Sequence, residues 1–398
     1  MRISTANQFE RAVQTLQQRQ QALQDSQETI ATGKRVLRPS DDPLAAVRAE
    51  RAMARQGRID ADLRALESSR QSMAATESAV GEASELMQRA RELVVQAGNP
   101  TYGTEQRKAI VEELRVLRRQ VLDVANRPDG AGGYLFGGAS DASLPFQETA
   151  AGVAFRGRAA GTRAAGVALP LTVDGHETWM RSASGNGVFV TAPAPANQAG
   201  AWIDAGRVTD PTALTGSSYD ITIADDGNGG LTWQVSPAPK TGPGSAQPYV
   251  AGQVIEFDGL AVAVHGEPHP GDRFSVEPSR RDLSVFDAID RVIAGLAPAD
   301  QHPAQVTQAV QSGLRDLDAV MGTLVASRAR IGAVLGQIDG LDNRLADQRV
   351  SAQAARSAAE DVDLAQAVSD FQVRQTSYDA ALKAYSMVQR LSLFEYIR

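Results

Sequence analysis

Apolar positions at the two ends of this chain recur in alternating steps of four and three, whereas those in its middle alternate in steps of two. The first pattern belongs to helices packed on helices and the second to half-buried strands. At the N-terminal end Phe9, Val13, Leu16, Gln20, Leu23, Gln27 and Ile30 define one stripe. It has the spacing of a heptad seam in which two seam positions hold Gln, which weakens the seam. The helix breaks around Thr32-Gly33-Lys34 and Arg38-Pro39-Ser40. Ser40 is the predicted N-cap of the next helix, with Asp41 and Asp42 at the positive end of its dipole and Pro43 tolerated in its first turn. Ile59, Leu63, Leu66, Met73, Val80, Met87 and Val94 carry the alternation onward until Gly98-Asn99-Pro100 stops it. A shorter helix with Ile110, Leu114, Leu117, Val121 and Val124 on one face follows.

The period changes near Asn126. Pro128-Asp129-Gly130 and Gly132-Gly133 break the helix, and Tyr134-Leu135-Phe136 reads as a short strand. Between 145 and 280 two hairpins stand out. Tyr219, Ile221 and Ile223 face Leu231, Trp233 and Val235 across Asp226-Gly227-Asn228-Gly229. Val254 to Phe257 and Leu260 to Val264 flank Asp258-Gly259, a favoured type I′ pair. Helical spacing returns near Ser284, breaks at Pro298 and Pro303, then runs through Leu317, Met321, Leu324, Ile331, Leu335, Ile338 and Leu345. Ser357-Ala358-Ala359-Glu360 has the form of a capping box. The last seam is Leu364, Val368, Phe371, Gln375, Tyr378, Leu382 and Tyr385.

These patterns predict an α+β multidomain protein: a discontinuous long-helix bundle drawn from both chain ends, with an all-β inserted domain. The expected divisions are terminal helices at 1–39 and 357–398, a helical bundle at 40–144 and 281–356, and a β-rich outer domain at 145–280. Each terminal helix has a single narrow apolar stripe, too little burial to offset the entropy of ordering it alone. The ends are therefore expected to be mobile in the monomer and ordered against neighbouring subunits. The two terminal seams, Phe9 to Ile30 and Leu364 to Tyr385, are the candidate intersubunit residues.

Composition narrows the function. Net charge is −7, which argues against nucleic-acid or anionic-membrane binding by the chain as a whole. Aromatic residues make up only 5%. The absence of cysteine excludes disulfides, thiolate metal sites and thiol nucleophiles. Met1 to Phe9 lacks the apolar run of a signal peptide, and no stretch reads as apolar enough to cross a bilayer. Composition by itself points to the cytoplasm.

No catalytic, metal or cofactor constellation emerges. His265 and His269 are four apart, but Gly266 and Pro268 keep them from sharing a helix face. Asp225-Asp226-Gly227-Asn228-Gly229-Gly230 lacks the ligand spacing of an EF-hand and reads as a turn. Gly130 to Gly138 has neither the lysine nor the following helix of a phosphate loop.

The segment Ala31-Thr32-Gly33-Lys34-Arg35-Val36-Leu37-Arg38-Pro39-Ser40-Asp41-Asp42-Pro43-Leu44 resembles the N-terminal signature of bacterial flagellins and their relatives. Ala358 to Arg390, headed by Glu360-Asp361-Val362-Asp363, resembles the matching C-terminal region. Within that superfamily the start Met1-Arg2-Ile3-Ser4-Thr5, the run Gly133 to Gly138 followed by Pro145-Phe146, the stretch Gly259 to Pro278 and the ending Leu391 to Arg398 resemble the hook-associated protein 3 branch.

The resemblance implies a secreted structural subunit of the bacterial flagellum, exported unfolded without a cleaved signal and assembling through its terminal helices into an adapter ring that joins hook to filament. Implied partners are copies of itself, a neighbouring hook-associated protein, flagellin, and a cytoplasmic export chaperone at the C-terminal end. Nucleic acid and membrane are not among them, and no cofactor is expected. Filament flagellin is the alternative; a flagellum-displayed adhesin or enzyme is a third reading.

Overall fold

The computed structural model describes residues 5–137, 143–158, 161–164, 166–299 and 301–396, with backbone only for 5–9, 161–164 and 388–396. Its helices are α1 (Thr5–Thr32), α2 (Pro43–Ala97), α3 (Thr104–Ala125), α4 (Gly175–Trp179), α5 (Val285–Leu296), α6 (Pro303–Glu360) and α7 (Leu364–Tyr396). Strands occur between Phe146 and Leu283. This is the helical-ends, β-middle architecture that the change of period predicts. The chain divides into two compact units, residues 1–64 with 341–398, and residues 65–340.

The first unit contains α1, α7 and the adjoining parts of α2 and α6. α1 and α7 run antiparallel: the Arg19 guanidinium donates to the Ser377 carbonyl at 2.7 Å, and Arg374 donates to the Ala22 carbonyl at 2.9 Å. α2 and α6 are likewise antiparallel in this unit, with Gln56 donating to Gln353 and Arg349 3.3 Å from Asp60. Small residues dominate what is buried here: Ala45, Ala49 and Ala52 on α2, and Ala352 on α6. Short side chains at a contact set a short distance between helix axes.

The second unit has two cores. In the helical one, Leu66, Met73, Val80, Met87 and Val94 of α2 are buried, as are Leu114, Val121 and Val124 of α3 and Leu317, Leu324, Ile331 and Ile338 of α6. These are largely the positions picked out by the four–three alternation. Ion pairs Arg70–Asp339, Arg328–Glu77 and Arg91–Asp318 fix the antiparallel register of α2 and α6 within this unit. α5 begins where Ser284 accepts the Asp287 N–H at 2.9 Å, an N-cap with its acid in the first turn.

The β core lies between two sheets. One has the strand order Gln247–Pro248, Leu231–Ser236, Tyr219–Asp225, Arg273–Pro278, Phe189–Pro193; the other runs Val254–Phe257, Leu260–Gly266, Ala201–Ile203. Both expected hairpins form, with Trp233 opposite Ile223, Val235 opposite Ile221 and Phe257 opposite Leu260. Asp258 and Gly259 have φ of 44° and 75°, the two positive values that a type I′ turn requires. Phe189, Ile221, Ile223, Trp233, Phe257, Val262 and Phe274 form the shared core. A separate aromatic cluster joins Phe136, Phe146, Trp179 and Phe286, with ring centroids 5.2 to 6.2 Å apart.

Four local expectations need correction. Tyr134-Leu135-Phe136 is a turn with a single bridge from Tyr134 to Pro128. Leu135 and Phe136 are apolar because they are buried, so burial mimicked strand propensity. Ser40 does not cap α2; Asp42 does, its Oδ1 accepting the Ala45 N–H at 3.0 Å. Ser357 to Glu360 ends α6 and opens no helix, and Asp363 caps α7 by accepting the Ala365 and Gln366 N–H groups. Finally, one 18-residue window of α6 does reach the length and apolarity of a membrane span. A helix of a packed bundle passes the same test, and Leu317, Val320, Leu324 and Ile331 are buried in the second unit.

Candidate functional site

The two signature segments, more than 300 residues apart in sequence, close on one another in the first unit. The chain leaves α1 at Gly33, whose φ of 69° is a left-handed C-terminal stop. Lys34 then pairs with Asp361 as an antiparallel bridge. The Arg35 N–H donates to the Glu360 carbonyl at 2.7 Å, and the Val362 N–H returns to the Gly33 carbonyl at 3.0 Å. Side chains lock the same junction. Lys34 Nζ lies 3.3 Å from Glu360 Oε1, which also accepts from Arg356 at 2.8 Å, and Arg35 donates to the Ala359 carbonyl at 3.0 Å. Ser357 hydrogen-bonds Asp361, and Val36 is the buried apolar anchor of the loop.

The acids after the loop have separate tasks. Asp41 Oδ2 accepts the Leu37 and Arg38 N–H groups, closing the turn around Pro39. Asp42 accepts from Ala45 and Arg35. The Ala45 N–H first, and then the Arg35 guanidinium, hold the Asp42 carboxyl below its usual range. Arg35 thereby ties the α2 cap to the end of α6.

The predicted terminal seams prove to combine two faces. On α1, Val13, Leu16, Leu23 and Ile30 are half-buried, while Gln20 and Gln27 are exposed. On α7, Phe371, Tyr378 and Tyr385 are half-buried together with Ala381, and Ala367 is buried. Leu364, Val368, Gln375 and Leu382 are exposed. At about 100° per residue the exposed set is turned by roughly 70° from the half-buried one. One stripe of α7 thus packs on α1, and an adjacent apolar stripe faces outward. The side chain of Phe9, residues 1–4, 138–142 and 397–398, and the side chains of 388–396 lie outside the described residues.

A second exposed apolar surface escaped the sequence reading. Pro39, Pro43, Ala46, Val47 and Ala54 line a shallow hollow at the start of α2, and Leu44 and Met53 are exposed nearby. Its only sequence signal is the spacing of Pro43, Ala46, Val47 and Ala54 along one helix face. Exposed apolar patches of this kind are characteristic of protein–protein contact surfaces. Elsewhere the candidate chemistry resolves into structure: His265 stacks on Trp202 with ring centroids 4.2 Å apart, and Asp226 accepts the Asn228 and Gly230 N–H groups within its turn.

Comparison with known proteins agrees with this geometry. The bacterial flagellin N-terminal helical region matches residues 3–141, and the bacterial flagellin C-terminal helical region matches residues 314–397. The flagellar hook-associated protein 3 of Escherichia coli K12 is 23% identical over 99% of both chains. The chain belongs to the flagellin superfamily, in its hook-associated protein 3 branch. The crystal structure of hook-associated protein 3 from Legionella pneumophila superposes with a TM-score of 0.71 at 26% identity, covering 77% of this chain and 97% of that one. That of the flagellar junction protein from Legionella pneumophila gives 0.69 at 25%, covering 79% and 100%. Both halves of the clasp lie within the matched flagellin regions.

Proposed function

We propose that this chain is the adapter subunit between flagellar hook and filament, assembling through its terminal helices into a ring of its own copies. The observation that carries the proposal is the closed clasp of Gly33–Asp42 on Glu360–Asp363, together with unpaired apolar stripes in the same unit. The clasp aligns α1 with α7 as one two-stranded module, and the outward stripe of Leu364, Val368 and Leu382 supplies apolar surface for a neighbour to cover. Full-length similarity to hook-associated protein 3 supports the junction as the location.

On this reading the terminal helices, residues 1–39 and 357–398, settle against neighbours on assembly, the bundle at 40–144 and 281–356 forms a second layer, and residues 145–280 face outward. The subunit contacts a hook-associated protein on one side and flagellin on the other. It reaches that position by secretion through the flagellar export apparatus, with a chaperone holding its C-terminal end beforehand. Gln20, Gln27 and Gln375 serve the adapter role: exposed amides accept more than one neighbour, where Leu would commit to one.

Filament flagellin is the second reading, favoured by 22% identity over 93% of this chain to polar flagellin C of Vibrio parahaemolyticus. Deleting the gene separates the two. An adapter loss leaves bare hooks with intact flagellin in the medium; a flagellin loss leaves no flagellin anywhere; normal filaments refute both.

A further inference from the structure

Within the second unit an open cleft of about 750 Å³ lies between α6 and the strands at Ser182–Ala183 and Arg281–Leu283. Its walls carry Arg91, Arg181, Arg281, Arg315 and Arg330 beside two acids, Glu177 and Asp318, which leaves an excess of positive charge. Five arginines around one cleft are unexpected in a chain of net charge −7. Three are committed. Arg91 pairs with Asp318 at 2.7 Å, Arg181 pairs with Glu177, and Arg315 donates to Thr191 and lies 3.4 Å from Asp316. Arg281 and Arg330 are exposed and have no acceptor among the described residues.

The floor of the cleft is chemically different from its walls. Leu314, Ala319, Gly322 and Ala326 line it from α6, beside the uncharged polar Gln311 and Thr323. A cationic wall above an apolar floor matches an amphipathic ligand, acidic on one side and apolar on the other. Guanidinium groups suit carboxylates because their planar donor fork can meet both oxygens. A polysaccharide would leave the apolar floor uncovered, and a free inorganic anion would fill only a small part of the volume.

We propose that this cleft binds a carboxylate-rich, amphipathic segment of another protein, anchored by Arg281 and Arg330. The three paired arginines are balanced by Asp318, Glu177 and Asp316, and the two unpaired ones supply both the free positive charge and the new charge-assisted hydrogen bonds.

The test uses the full chain and a fluorescent synthetic peptide alternating Glu with Leu and Ala, with binding read by anisotropy in 50 and 150 mM salt. Arg281→Ser with Arg330→Ser removes both anchors, while Arg55→Ser, an exposed arginine on α2, serves as the control. Neither anchor holds a carboxylate in the fold, so circular dichroism and melting temperature of the double variant stay at wild-type values. The expected result is saturable binding that weakens at least tenfold in the double variant and is unchanged in the control. An all-Glu peptide, a heparin oligosaccharide and inorganic sulfate compete less well than the amphipathic peptide. The proposal is overturned by an unchanged affinity in the double variant, by absence of binding in 50 mM salt, or by heparin competing better than the peptide.

Discussion

Replacing Leu364, Val368 and Leu382 together with Ser separates the inward face of α7 from its outward one. These residues are 55%, 43% and 41% exposed, so about half of each is already buried within the subunit and half is left open. Fully burying a Leu or Val is worth roughly 2 kcal/mol, and about half of that remains available to a neighbour at each site. Three sites therefore offer about 3 kcal/mol per subunit contact, equivalent to roughly a hundredfold in association. The substituted protein should keep its helical far-ultraviolet circular dichroism, with a modest fall in melting temperature, because Phe371, Tyr378 and Tyr385 still pack on α1. In a strain carrying only this variant, filament number and motility should fall while flagellin appears in the medium. Phe371→Ala is the complementary change: it opens the α1–α7 pair and lowers helicity in the monomer. Wild-type motility and filament counts in the triple variant would refute assignment of the outward stripe to assembly. A collapse of helicity would show instead that the stripe supports the subunit itself.

Other consequences are testable on the purified chain. Glu360→Gln removes both the Lys34 and Arg356 ion pairs from a buried carboxylate; a loss of about 1–3 kcal/mol locally should appear as faster hydrogen exchange at Arg35 and Val362. Gly259→Ala should destabilise the β core by about 1–3 kcal/mol, because φ is 75° and a methyl group would overlap the Asp210 carbonyl oxygen; chemical denaturation measures it. Burial alone would raise the Asp258 carboxyl, but hydrogen bonds from Tyr219 and from the Thr241 and Lys240 N–H groups outweigh burial and hold it below its usual range. A depressed folded-state value gives stability that is present above the unfolded value of about 3.9 and lost as pH falls through the folded one. Melting curves from pH 5 downward should therefore decline less steeply in Asp258→Asn than in wild type. Phe274→Ala, in the centre of the sandwich, should cost about 3–5 kcal/mol by the same denaturation assay.

What the sequence determines by itself is whatever local periodicity and turn chemistry express. Steps of four and three place the helices, since apolar residues must share one face to be buried at all. Ile221 and Ile223 opposite Trp233 and Val235, and the Asp258-Gly259 turn, follow from alternation and from the positive φ that few residues tolerate. Motif identity also links Ala31–Leu44 and Glu360–Asp363 to one family before any contact is known.

Tertiary structure alone decides which stripe of a helix is spent within the chain. Leu364 and Phe371 both fit a four–three alternation, yet one is left open and the other packs on α1, because the direction of α7 is fixed by the clasp at its start. That clasp depends on Arg35 and Val362 hydrogen-bonding across more than 300 residues, and such backbone pairing leaves no periodic trace. The same holds for Glu360, which has the spacing of a capping acid but meets Lys34 and Arg356 once the two ends close. The arginine cleft is the clearest case: its five members are spread from Arg91 to Arg330, and only folding gathers them around one floor.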